Sequence, residues 1–290
     1  MSVVWNMYFV LRAKKLLILT IVISTIITLL IVINTVVFAQ KQIENSNIIK
    51  IPVLMYHDVL KQRSRQNKYT TTPIKFEKDL KYLYDNEYKS VVIKDIVDFV
   101  ESGKALPQKP VIISFDDGHY NNVYYAEPLL AKYNMKAVMF IVGAFSEKST
   151  LEGEQNPSYS YVNWDTLKSM STNNLWDIQS HSWDLHGKKG VGKNMSKSND
   201  EYSNFLKEDF LKISDKINEI TGKNPIAFAY PYGLTNDTAE EVLKELGYKA
   251  TFTSFSGESE IKKDDSNSLF GLCRFNCNET TSLKDLLNEN

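Results

Sequence analysis

Two hydrophobic periods alternate along most of this chain. Short apolar runs rich in β-branched residues, such as Val53-Leu54-Met55-Tyr56 and Val111-Ile112-Ile113, read as strands buried on both faces. Between them lie stretches with apolar residues three and four apart, such as Phe76, Leu80, Leu83 and Tyr84, the spacing of one helix face. Thr72-Pro73 supplies that helix with a cap and a first-turn proline, and Gly103 is placed to stop a helix over 95–102. Further strands are predicted at 90–93, 136–142, 175–179, 225–230, 248–254 and 269–276. Helices are predicted at 123–133, 164–170, 200–221 and 238–246, with a short one at the C-terminus. Residues 60–71 and 187–199 are polar and read as loops. Alternating strand and helix imply a parallel α/β sheet. Seven or eight strands in about 240 residues fit a closed barrel better than an open sheet. No glycine-rich nucleotide fingerprint follows any strand, which argues against a dinucleotide-binding fold.

The N-terminus departs from this pattern. Residues 16–39 carry no charge and are almost wholly apolar, long enough to span a bilayer as a helix. Arg12, Lys14 and Lys15 precede them, which keeps the start of the chain inside the cell and sends the bulk outside. Cleavage after Val37-Phe38-Ala39 is the competing reading; it is disfavoured because the apolar core of a secretory signal is roughly 7–15 residues. The expected organisation is a cytoplasmic N-terminus (1–15), a transmembrane anchor or long signal segment (16–39), a polar linker (40–50) and one domain (51–290). That places the domain outside the cell, on a single-pass anchor in the cell membrane, or secreted if the chain is cut after Ala39.

Composition narrows this picture. Hydrophobic residues make up 43% of the 290, enough for a sizeable core. The 34 basic and 35 acidic residues nearly cancel, so nothing points to nucleic acid as a partner. The two cysteines, Cys273 and Cys277, fall four apart on a predicted strand. That spacing separates them by about 13 Å, too far for a disulfide, although an outside location would permit one. They are expected unpaired in the core.

The candidate chemistry sits at strand ends. Val111–Phe115 runs into Asp116-Asp117-Gly118, two adjacent carboxylates that need a cation or a proton to separate their roles. His181 and His186 follow another predicted strand. Their spacing aligns them on neither a helix nor a strand, so they meet only if the chain bends. Alone, they read equally as surface histidines or as metal ligands. With Asp117 they make a set of two imidazoles and one carboxylate suited to Zn²⁺, Fe²⁺ or Co²⁺. Such a centre acidifies water and polarises a carbonyl, leaving Asp116 as a general base. Phe228-Ala229-Tyr230-Pro231-Tyr232-Gly233 is either a plain tight turn or one that aims the Tyr232 N–H at a developing oxyanion.

Ser114-Phe115-Asp116-Asp117-Gly118, the histidine pair and Pro231-Tyr232-Gly233, in this order, resemble the polysaccharide deacetylases of carbohydrate esterase family 4, the NodB-homology domain. The resemblance covers roughly residues 50–280. It implies a (β/α)7-like barrel and metal-dependent removal of acetyl groups from N-acetylglucosamine polymers such as peptidoglycan or poly-N-acetylglucosamine. It implies Asp116 as base and Asp117, His181 and His186 as ligands of a divalent metal, zinc first, with cobalt, iron or nickel as alternatives. The chain departs from the family pattern in three places. The histidine spacing is five rather than four, no arginine precedes Pro231-Tyr232-Gly233, and no Leu-x-His motif lies near the C-terminus. Tyr56-His57 looks like that last motif moved to the front, which implies a circularly permuted barrel with His57 as general acid. This arrangement is similar to the branch of biofilm poly-N-acetylglucosamine deacetylases. Arg274 stands either as the replacement for the missing arginine, holding Asp116 ionised, or as a structural or surface residue. His119 is expected to face water. Partners implied are an acetylated glycan and, through the N-terminal segment, the membrane. The competing readings are an inactive glycan-binding barrel and a glycoside hydrolase; Asp116 and Asp117 are neighbours, unlike the separated acids of the latter.

Overall fold

The structure is a computed structural model describing residues 20–35, 47–61, 67–187, 190–192 and 198–288. The chain divides into two units, residues 1–48 and 49–290. In the first, residues 20–35 form a helix with exposed apolar side chains, Leu29 and Ile31 among them. Among the described residues no helix is long and apolar enough to cross a membrane. The rest of the expected anchor, 16–19 and 36–39, lies outside the described residues, as do most of the linker (40–46) and parts of the two loops (62–66, 188–189 and 193–197).

The second unit is built on parallel strands β1 (Val53–Tyr56), β2 (Pro110–Phe115), β3 (Ala137–Ile141), β4 (Trp176–Ser180), β5 (Ala227–Ala229), β6 (Ala250–Phe252) and β7 (Phe275–Asn276). Their order is β6-β5-β4-β3-β2-β1-β7, each neighbour parallel. Lys89–Ser90 adds a short parallel pairing to the start of β2. The two ends of this order meet. Phe252 bridges Leu272, just ahead of β7, and Leu272 exchanges hydrogen bonds with Thr251 and Thr253. The ring that results is the α/β barrel expected from the strand count.

Alternation along the strands sorts their side chains into two apolar sets. Val53, Ile112, Val138, Phe140, Ala227, Ala229, Ala250 and Phe252 share one cluster with the apolar face of helix Ile93–Ser102. Leu54, Ile113, Phe115, Met139, Ile141 and Ile178 belong to another, packed with helices Pro73–Asp85, Trp164–Met170 and Asn199–Thr221. Both faces are therefore dry, which explains the continuous apolar runs. Helix ends follow their sequence signals. Thr72 Oγ1 accepts the Lys75 N–H, and Ser198 and Glu201 form a reciprocal capping box.

Three expectations change. The strand predicted at 90–93 is only Lys89–Ser90, because the helix after it begins at Ile93. The strand predicted at 269–276 is only Phe275–Asn276, since a 3₁₀ turn over Ser266–Leu269 and Gly271 at φ +77° break it. Helix Gly143–Glu152 was not anticipated, because the positions it buries are Gly143, Ser146 and Ser149, which give no hydrophobic period. Both cysteines are free, as expected, with Cys277 buried.

Gly143 sets how closely that helix approaches the segment after β4. A Cβ there would lie 2.4 Å from the Trp183 ring and 2.9 Å from Ile213. Gly143→Ala is expected to cost about 1–3 kcal/mol of overpacking, which lowers the melting temperature by several degrees; thermal unfolding of the two proteins side by side checks it.

Candidate active site

The carboxyl ends of the strands deliver side chains to one mouth, as in other barrels of this kind. β1 ends at His57, β2 at Asp116 and Asp117, β4 at His181, and β5 leads to the turn Pro231–Gly233. Arg274 comes from just ahead of β7 rather than from the strand itself.

Asp117, His181 and His186 each present one donor atom, all within 4.8 Å of one another. Asp117 Oδ1 lies 2.9 Å from His186 Nε2 and 3.5 Å from His181 Nε2. That oxygen is buried, and neither contact has the alignment of a hydrogen bond. His181 Nδ1 is 2.6 Å from the Ala229 carbonyl, which it serves as donor, so the Nε2 lone pair faces Asp117. Two imidazole nitrogens and a carboxylate oxygen converging in this way suit a divalent cation, and these residues fit one.

The histidine spacing of five works because the chain bends between them. Ser182 takes φ +76°, and its Oγ accepts the Leu185 N–H at 3.0 Å. Asp209, on the helix Asn199–Thr221, accepts the N–H groups of Trp183 and Asp184, each at 2.8 Å. Burial pushes its carboxyl up to about 6, against the pull of those two N–H groups. Asp209 had no local signal in the sequence; it is one more acid on a long polar-faced helix.

Asp116 has a different partner. Arg274 Nη1 and Nη2 donate to its two oxygens at 2.7 and 2.8 Å, and Nε donates to the Thr253 carbonyl at 2.7 Å. Arg274 is 1% exposed, so of the readings left open in the sequence, replacement, structural or surface, the surface one is excluded. Burial pushes the Asp116 carboxyl up, but Arg274, with His181 and His57, outweighs it and holds it below the usual range. For Asp117 burial acts the same way, and contacts from His119 and His186 reverse it more strongly. His57 Nε2 stands 4.0 Å from Asp116 Oδ2, with Tyr69 at 4.8 Å between ring centres. Burial lowers the His57 pKa, against the pull of Asp116.

Tyr232 sits at φ +59° with its side chain half exposed, and its hydroxyl donates to the His186 carbonyl at 3.1 Å. The next residue must be glycine: at φ +69°, a Cβ on Gly233 would come 2.1 Å from Ser254 Oγ. Tyr230 stands where the family's arginine was missed, and it is buried in an apolar cluster. One expectation is corrected. His119 does not face water; its ring nitrogens approach Asp117 and Asp58, because Gly118 at φ +75° turns the chain back over the mouth.

A parallel barrel with such a donor set at its carboxyl-end mouth has the build of a metal-assisted hydrolase. The chain belongs to the polysaccharide deacetylase family, whose model matches residues 103–251; its members are hydrolases of carbon–nitrogen bonds. It is 29% identical over 205 residues to a poly-β-1,6-N-acetyl-D-glucosamine N-deacetylase of Staphylococcus epidermidis, covering 70% of this chain and 68% of that one. It is 26% identical over 237 residues to the Escherichia coli protein of that description, of which the match spans 35%, and 73% of this chain. A solved de-N-acetylase from Aggregatibacter actinomycetemcomitans superposes with a TM-score of 0.68 at 28% identity, covering 82% of this chain and all (100%) of that one.

Removing the guanidinium would leave Asp116 buried and alone. Arg274→Met is expected to cost about 3–5 kcal/mol. The depressed Asp116 pKa lends stability that is present above the unfolded value of about 3.9 and lost as pH falls through the folded one. Without Arg274 that contribution reverses sign and the acidic limb of any Asp116-dependent activity moves to higher pH. Denaturant unfolding at neutral and mildly acidic pH, with a pH–rate profile, checks both.

Proposed function

We propose that this protein removes acetyl groups from an N-acetylglucosamine-containing polysaccharide outside the cell, releasing acetate. The observation that carries this reading is one mouth holding two neighbouring carboxylates in different surroundings, Asp117 facing His181 and His186 and Asp116 clamped by Arg274. The relatives' descriptions name poly-β-1,6-N-acetyl-D-glucosamine, which makes it the first polymer to test, with peptidoglycan second. Exposed Tyr69 beside His57 and Tyr232 beside His186 offer ring faces to a sugar. Residues 16–39, uncharged and preceded by basic residues, support an anchor or secretion segment that puts the barrel outside. The first and last barrel strands lie side by side, the neighbourhood a circular permutation needs.

A divalent metal bound by Asp117, His181 and His186, with zinc the first choice for this donor set, supplies Lewis acidity toward water and an acetamide carbonyl. The chain's own residues do the rest. Asp116, kept ionised by Arg274, takes a proton from the attacking water. Water oxygen bonds to the carbonyl carbon, and the Tyr232 N–H meets the charge that develops on the carbonyl oxygen. Asp116 passes that proton to His57 Nε2, 4.0 Å away, which burial keeps neutral and able to take it, and His57 delivers it to the departing nitrogen. The C–N bond breaks, leaving acetate and a free amine on the sugar.

Asp117→Ala or His181→Ala is expected to abolish both bound metal and acetate release. His57→Asn is expected to retain metal and lose about 10²–10⁴-fold in kcat. Acetate release from defined acetylated glycans, with and without chelator, and metal content of each variant are the measurements. Full activity of His181→Ala, or release of reducing ends instead of acetate, would sink the reading.

A further inference from the structure

His119 lies outside the donor set, yet its ring is held on every side. Nε2 is 3.4 Å from Asp117 Oδ2, and Nδ1 is 3.4 Å from Asp58 Oδ1. Asp58 Oδ1 also accepts from Asn121 Nδ2 at 2.8 Å, and Asn121 Oδ1 accepts the Val59 N–H at 2.9 Å, so the far carboxylate is itself fixed. The His119 ring stacks on Tyr161 with centroids 5.0 Å apart and planes 24° apart. Tyr161 is anchored in turn, its N–H donating to Ser149 Oγ at 3.1 Å. Backbone bonds from Tyr120 to Ser160 and from Val162 to Gly118 tie the two segments together.

The Asp117 carboxylate thus has different neighbours on its two oxygens. Oδ1 meets His181 and His186, and Oδ2 meets His119. Asp117 also occupies the left-handed region, at φ +69°, which costs a non-glycine residue about 1–3 kcal/mol and persists only when its surroundings hold it. We propose that His119, oriented by Asp58, is a positioning residue that pins Asp117 Oδ2 and so aims Oδ1 at the metal site. This rests on reading Asp117, His181 and His186 as metal ligands. His119 is not one of the three residues whose donor atoms converge, and its Nε2 lies 3.4 Å from Asp117 Oδ2.

The test is Zn²⁺ affinity of the full chain, measured by competition with a chelating dye, alongside melting of the metal-free protein. His119→Phe keeps the ring stack and removes both nitrogens; it is expected to weaken Zn²⁺ binding 10–100-fold while the metal-free melting temperature stays near wild type. His119→Gln, whose amide N–H reaches the place of Nε2, is expected to recover most of that affinity. Asp58→Asn is expected to show a smaller loss in the same direction. Wild-type affinity in His119→Phe overturns the proposal, as does a Gln variant no better than Phe. If His119→Phe does not fold, the other two variants decide: wild-type affinity in Asp58→Asn overturns it, and a loss there with near-normal binding by Gln upholds it. Failure of the wild-type protein to bind Zn²⁺ would instead strike the metal-site reading itself.

Discussion

The buried ion pair between Asp116 and Arg274 is the constraint on which the mouth of the barrel depends. Each charge alone would be costly in so dry a place, and two parallel hydrogen bonds between them satisfy both groups. The arginine does more than neutralise. Its Nε reaches the Thr253 carbonyl and its backbone N–H the Phe255 carbonyl, so the pairing also fastens the seam where β6 meets the approach to β7. With one carboxylate satisfied by a protein cation, its neighbour is left to the imidazoles. Two acids adjacent in sequence thereby acquire opposite chemical characters.

Backbone in the left-handed region gathers at the same mouth. Asp117, Gly118, Ser182, Tyr232 and Gly233 all have positive φ. Three of these are not glycine, and such strain is kept only where the surroundings over-determine it. Those neighbours are His119 for Asp117, the Asp209 carboxylate for the loop after Ser182, and Ser254 for the Tyr232 turn. Rigid strands bring the chemistry to within a few ångströms, and short polar bonds set its final direction.

The barrel was legible because its strands are dry on both faces and its helices carry caps and stops of known type. The donor set was legible because Asp116-Asp117-Gly118, the histidine pair and Pro231-Tyr232-Gly233 are local patterns at strand ends. What escaped was of another kind. Helix Gly143–Glu152 buries small residues, so periodicity is silent about it. Asp209 acts from a helix far along the chain, and His119 gains its partners only when Gly118 reverses the backbone toward Asp58. Arg274 sits 158 residues from the acid it meets, and no spacing rule reaches that far. Burial, which a sequence does not carry, removes only its surface reading. The N-terminal segment was read from hydropathy alone, and only residues 20–35 of it are described.

The seam at Arg274 has a consequence for the order in which the molecule comes into being. A chain made from its N-terminus presents β1 to β6 first, with Asp116 already destined for the interior and its cation still to come. Arg274 lies among the final segments, and the strand it precedes docks beside the first barrel strand. Contacts so distant in sequence form late and slowly. An unfinished chain therefore carries Asp116 without its cation, and the buried ion pair forms only when the last segment has closed the ring.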